Sequence, residues 1–190
     1  MSEVMKMLID NTVYSSRPGD ERSEREMSCY TMLEKLGIDF MRVDHESADT
    51  IEKCHEIEKV LGCEICKNLF LTNRQETQFY LLLMPGDKPF KTKLLSKQIN
   101  SARLSFANEE HMLRLLDITP GSVSVLGLMN DRDKMVQLLI DSELLKSEYL
   151  GCHPCINTSS LKIRTEDIIN KLLPAVGHDF ISVALPWEVE

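Results

Sequence analysis

The chain has 190 residues, of which 43% are hydrophobic and 27% charged, a balance that excludes intrinsic disorder, collagen-like repeats and low-complexity character. Its length suits one domain with a sizeable core. Lysine and arginine total 22 against 30 acids, and the net charge of −8 argues against broad, sequence-blind binding to nucleic acid while leaving room for a local basic patch.

No apolar run approaches the ~20 residues that span a bilayer, and the first residues, MSEVMKMLIDN, carry acids where an export signal carries bases. The expectation is a cytoplasmic, monomeric protein with no membrane contact. Residues 1–19 are set apart as an N-terminal segment, since chain termini are often untethered, and residues 20–190 are read as a single domain.

Along the chain, Ser23 and Glu26 have capping-box spacing, and Met27, Tyr30, Leu33 and Leu36 recur at helical intervals until Gly37. A short strand is predicted over Ile38 to Val43 and a charged helix over Thr50 to Leu61, closed by Gly62. Asn68 to Leu71 and Phe79 to Met84 read as a hairpin with a longish polar loop. Lys91 to Ile99 and Asn108 to Asp117 look helical, with Asn108 as the cap of the second, and Pro120-Gly121 breaks the chain. Val123 to Leu128 and Met135 to Ile140 resemble two buried strands joined by a turn at Asn130-Asp131. Thr165 is expected to cap a helix through Leu173, and Phe180 to Leu185 to form a last strand. Strands and helices alternate without a regular βαβ repeat. The fold class is therefore a mixed α/β sheet or open barrel with helices around it.

Several motifs fail. His55-Glu56-Ile57-Glu58-Lys59 begins like the zinc-protease helix but has Lys59 where the second histidine belongs. Nucleophile elbow, P-loop and GxGxxG fingerprints are missing from the sequence, and Asp131 with Asp133 reads as a solvated turn. Six cysteines suggest reduced thiols, a metal site or redox chemistry. Cys63-x-x-Cys66 and Cys152-x-x-Cys155 each have zinc-knuckle spacing, yet the pairs stand far beyond the ~15–20 residues usual in one zinc module. Small buried thiols are the favoured reading, with four-thiolate zinc the alternative. Cys29 and Cys54 are read as packing residues on helices.

Five segments occur in a telling order: Cys66-Lys67-Asn68-Leu69-Phe70-Leu71, Leu104-Ser105-Phe106-Ala107, Pro120-Gly121-Ser122-Val123-Ser124, Leu126-Gly127-Leu128-Met129-Asn130-Asp131, and Gly151-Cys152-His153-Pro154-Cys155-Ile156-Asn157-Thr158. In this order and over residues 20 to 186 the sequence resembles the YbaK/ProX-type aminoacyl-tRNA editing domains. The resemblance implies that family's mixed sheet or open barrel and a freestanding deacylase of mischarged tRNA(Pro), closest to the branch acting on alanyl-tRNA(Pro). It carries over Lys67, Asn68 and His153 as catalytic residues. The family's GxxxP substrate loop falls on Gly121, Ser122, Val123, Ser124 and Val125, with Val125 in the place of the proline, and Gly127 and Asn130 follow as further substrate contacts. Cysteinyl-tRNA(Pro) is the alternative substrate, and a binding module without turnover, motivated by Val125, is the alternative class.

An aminoacyl ester is already activated, so positioned water and oxyanion stabilisation suffice without a covalent nucleophile or a cofactor. Lys67 offers a compact positive charge to a phosphate or the terminal ribose, and backbone N–H groups at Gly121 or Gly127 can approach the carbonyl. Lys88, Lys91, Lys93, Lys97 and Arg103 follow one another with no intervening acid, a predicted phosphate-contacting patch for the acceptor end of the tRNA. Association with prolyl-tRNA synthetase is a further implied partnership.

Overall fold

Capping chemistry places the first helices where the sequence puts them. The computed structural model describes residues 8–48 and 50–188. Helix α1 (Glu24–Lys35) starts at Ser23, whose side chain accepts from the Glu26 N–H. Strand β1 (Phe40–Asp44) follows, then α2 (Ile51–Leu61), capped by the Thr50 side chain and closed by Gly62 in the left-handed conformation. Next come β2 (Lys67–Asn73), β3 (Phe79–Met84), α3 (Thr92–Gln98), β4 (Leu104–Phe106) and α4 (Glu109–Leu116), the last capped by Asn108. The second half holds β5 (Val136–Asp141), β6 (Tyr149–Cys152), β7 (Ser159–Arg164), α5 (Thr165–Asp167), α6 (Leu173–Val176) and β8 (Phe180–Val183).

Two sheets result. One is antiparallel in the order β1-β7-β6; the other is mixed, β4-β2-β3-β5-β8, with β3, β5 and β8 parallel. The near-continuous apolar runs of β3 and β5 follow from burial on both faces. Leu81, Leu83, Leu138 and Ile140 enter the main core with Tyr30, Leu33, Phe70, Leu161 and Ile163. Leu82, Met84 and Leu139 turn the other way, onto Leu95 of α3. A third cluster, Val43, Ile57, Leu61 and Ile65, seats α2 on the smaller sheet.

The two sheets are stitched where β2 begins. Cys66 N–H donates to the Gly151 carbonyl at 2.9 Å and Gly151 N–H to the Glu64 carbonyl at 3.0 Å. A Cβ on residue 151 would lie 2.5 Å from the Glu64 oxygen, so only glycine permits this approach. The stitch brings the segment Cys66-Lys67-Asn68 beside Gly151-Cys152-His153-Pro154, residues some 85 positions apart in the sequence.

Three sequence expectations are corrected. Val123 to Leu128 is no strand: Val125–Met129 forms a 3₁₀ turn capped by Ser124. A short buried apolar run does not by itself distinguish the two conformations. Thr165 is the first residue of its helix rather than its cap, its hydroxyl donating to the Ser147 carbonyl at 2.6 Å, and the helical path runs on past Leu173 to Val176 through a π-turn at Ile168–Leu172 that precedes Pro174. Residues 8–14 lie along β1, with Tyr14 and Arg42 exchanging both backbone hydrogen bonds, so this part of the 1–19 segment is tied to the sheet. Residues 1–7 of that segment lie outside the described residues. No helix among the described residues is long and apolar enough to cross a membrane.

Candidate active site

A cavity of about 240 Å³ opens at the stitch between the sheets. Lys67 and Asn68 form its wall at the start of β2, Gly121 and Val123 come from the loop after α4, and His153 comes from the turn after β6. Thr50, Cys54, His55 and Glu58 face them from α2. Across the mouth, His55 Nε2 lies 2.9 Å from Asp87 Oδ1, joining α2 to the loop between β3 and α3.

Lys67 is half-buried, and its Nζ donates to the Lys88 carbonyl at 2.8 Å. That anchor uses one ammonium donor and leaves two. Burial lowers the Lys67 pKa, and Asp87 opposes the shift. Asn68 turns its side-chain amide back onto the Cys66 carbonyl at 2.9 Å.

His153 is 6% exposed, and burial pulls its pKa down to about 4, so it is neutral at pH 7. A chain of hydrogen bonds assigns its tautomer. His45 Nδ1–H donates to the Glu46 carbonyl at 2.8 Å, so His45 Nε2 accepts from the Ser160 hydroxyl at 2.9 Å. His153 Nδ1–H then donates to the Ser159 carbonyl at 2.9 Å, with the Ser160 oxygen as a second acceptor at 3.3 Å. Among the described residues nothing engages the His153 Nε2 lone pair.

Of the residues carried over from sequence, Lys67, Asn68, Gly121, Val123 and His153 converge on this cavity, and the others do not. Ser122 is buried and its N–H bonds the Thr119 carbonyl. Ser124 is fully buried and caps the 3₁₀ turn. Val125 packs in the main core and is not among the residues lining the cavity. Gly127 is pressed against Leu116 and Ile118, and Asn130 donates to the Leu116 carbonyl at 2.8 Å. These five residues build the fold behind the cavity wall.

The basic stretch is corrected at one position. Lys88 is 1% exposed and pairs with Asp141, itself 0% exposed, at 2.9 Å, so it has no surface to offer a phosphate. Lys91, Lys93, Lys97 and Arg103 are exposed, and Lys93 and Lys97 share one face of α3 at i, i+4 spacing.

The cysteine pairs approach each other across the stitch, but among the described residues no group of three or more His, Cys, Asp or Glu side chains is placed to hold a metal ion. The four-thiolate site is therefore not formed. Burial raises the thiol pKa values, Cys63 to about 11 and Cys66 to about 12, which keeps them protonated and unreactive.

Sequence reasoning missed the α2 wall and the His45-Ser160 support. Thr50, Cys54 and Glu58 recur at four-residue intervals, which puts them on one helix face; that spacing was a usable signal. Nothing local marks His45, because the hydroxyl that joins it to His153 comes from Ser160 on β7.

A family model described as "Aminoacyl-tRNA editing domain" matches residues 45–171. The chain is 31% identical over 153 residues to the prolyl-tRNA editing protein ProX of Acetoanaerobium sticklandii, covering 80% of this chain and 93% of that one. It is 30% identical over 169 residues to the prolyl-tRNA synthetase associated domain-containing protein 1 of Xenopus laevis, covering 87% and 97%. Among solved structures, a chain described as a candidate trans-editing enzyme for prolyl tRNA synthetase superposes with a TM-score of 0.65 at 16% identity, covering 87% of this chain and 100% of that one, which shows a shared fold.

Proposed function

The chain belongs to the aminoacyl-tRNA editing domain family, a family of hydrolytic deacylases, and from that premise we propose that it removes alanine from mischarged alanyl-tRNA(Pro) in trans, as a single editing domain. The observation that carries the reading is the convergence of Lys67, Asn68, Gly121 and His153 on one cavity from three separate chain segments.

The residues suit hydrolysis of an activated ester without a covalent intermediate. Lys67, oriented by the Lys88 carbonyl, holds the 3′-terminal nucleotide by its phosphate or ribose through its remaining donors. The backbone N–H of Gly121 donates to the developing oxyanion. The neutral Nε2 of His153 accepts a hydrogen bond from the attacking water; with a pKa of about 4 it orients that water rather than storing a proton at pH 7. His153 and Val123 set the depth available to the amino-acid side chain, and the closed proline ring is excluded by size, reinforcing the ~1–3 kcal/mol that one methylene supplies. Lys91, Lys93, Lys97 and Arg103 meet acceptor-end phosphates, leaving most of the tRNA in solvent as an acidic protein requires. The protein acts in the cytoplasm, alongside prolyl-tRNA synthetase.

Purified protein incubated with alanyl-, cysteinyl- and prolyl-tRNA(Pro) tests this. Rapid loss of the alanyl ester with prolyl-tRNA(Pro) spared is the expected result. Preferential loss of the cysteinyl ester moves the substrate assignment, and hydrolysis of none of them overturns the enzymatic reading in favour of a binding module.

A further inference from the structure

The cavity that holds Lys67 and His153 has a carboxylate in its opposite wall. Glu58 sits on α2, half-buried, with one oxygen accepting the Ile65 N–H at 2.7 Å. Its other oxygen has no hydrogen-bond partner, and Glu58 makes no ion pair among the described residues. A partly desolvated carboxylate without a cation is costly to hold, and burial accordingly raises its pKa. Among the described residues lining this cavity, Glu58 is the one carboxylate.

We propose that Glu58 is the specificity residue that binds the α-ammonium of the aminoacyl ester, completing in the substrate complex the ion pair that the free protein lacks. The inference rests on the reading of this cavity as a deacylase site. Alanyl and cysteinyl esters present a primary ammonium on the carbon next to the scissile carbonyl, so one ligand carries a cation for Glu58 and an anionic backbone for Lys67. The neutral His153 cannot supply the negative charge, and Asn68 has committed its amide to the Cys66 carbonyl. The helical register supports the placement: Thr50, Cys54 and Glu58 share the face of α2 that looks into the cavity. The Ile65 contact fixes the carboxylate in the turn between α2 and β2, so its orientation is set before the ligand arrives.

The test compares alanyl-tRNA(Pro) with lactyl-tRNA(Pro), in which a hydroxyl replaces the ammonium at nearly the same size. A charge-assisted hydrogen bond corresponds to roughly 10- to 100-fold in affinity, so the parental protein is expected to favour the alanyl ester by that factor in kcat/KM. In Glu58→Gln, which keeps the acceptor for Ile65 N–H, the preference should collapse to within a few-fold, mainly through KM, while lactyl-tRNA(Pro) is hydrolysed at the parental rate. That unchanged lactyl rate serves as the folding control. A parental protein that hydrolyses both esters equally overturns the inference and leaves the deacylase reading intact, as does a Glu58→Gln protein that retains the full preference or loses both substrates alike. A parental protein that cleaves neither ester removes the deacylase reading and the inference with it.

Discussion

Replacing Lys88 by methionine should unfold the protein far more readily than replacing any neighbouring lysine. The Lys88 ammonium lies 2.9 Å from Asp141 Oδ2 with both side chains essentially inaccessible to solvent. The nearest other carboxylate, Glu143, is 3.9 Å away, and the Trp187 ring is 5.2 Å from the ammonium. Once the lysine is gone, the Asp141 carboxylate keeps, among the described residues, the hydrogen bond from Glu143 N–H at 3.0 Å. Stranding one member of a buried pair costs about 3–5 kcal/mol, which for a domain of this size lowers Tm by roughly 6–20 °C. Lys93→Ala, on the exposed face of α3, should change stability by no more than about 0.5 kcal/mol. Urea titration followed by circular dichroism measures both. The double variant Lys88→Met/Asp141→Leu should recover most of the loss, since a buried ion pair exchanged for packed apolar groups is often near neutral. A Lys88→Met protein within about 1 kcal/mol of the parent would refute the buried-pair account and return Lys88 to the surface.

Lys93→Ala and Lys97→Ala should each reduce the slope of log KM against log salt by about one while sparing the maximal rate, because phosphate contacts position tRNA without joining the chemistry; an unchanged slope removes α3 from the tRNA interface. His153 has a folded pKa of about 4 against 6.5 for the free side chain, so between these values the unfolded state binds more protons and stability declines as pH falls, by about 3 kcal/mol in total. Denaturation across pH 4 to 7 should show a shallower decline in His153→Gln, with the buried His45, whose pKa is also lowered by burial, contributing to what remains; identical curves would contradict the assignment. Native protein should expose at most the half-buried Cys54 and Cys63 to a thiol reagent, with Cys29, Cys66, Cys152 and Cys155 reacting only on unfolding; four rapidly reacting thiols would contradict the packing of the stitch.

Local chemistry made much of this fold legible. Ser23, Thr50 and Asn108 mark three helix starts because an oxygen side chain ahead of the first turn satisfies free backbone N–H groups, and the FYLLLM run reads as a central strand because both its faces are buried. The smaller sheet was less visible. Tyr149–Cys152 and Ser159–Arg164 are short and polar in part, and the Gly-Cys-His-Pro run that ends the first of them draws attention as a motif rather than as a strand end. Lys88 was misread because a run of bases looks like a solvated face, while the Asp141 that neutralises it is 53 residues away. The same separation in sequence hid His45 and Ser160 from any local reading. Lys67, Asn68 and His153 were found through motif resemblance; their residue types alone would not have distinguished them from a strand-opening lysine and a turn histidine.

If this cavity performs the hydrolysis, single-turnover deacylation of alanyl-tRNA(Pro) must separate the parent from Lys67→Ala. Lys67 is half-buried and adds little to the core, so the variant should stay folded within roughly 1 kcal/mol of the parent. Its rate at saturating protein should fall by on the order of 10², because without Lys67 the terminal nucleotide is no longer held in the geometry that water attack requires. A folded Lys67→Ala protein that deacylates at the parental rate would place the hydrolysis elsewhere on the molecule.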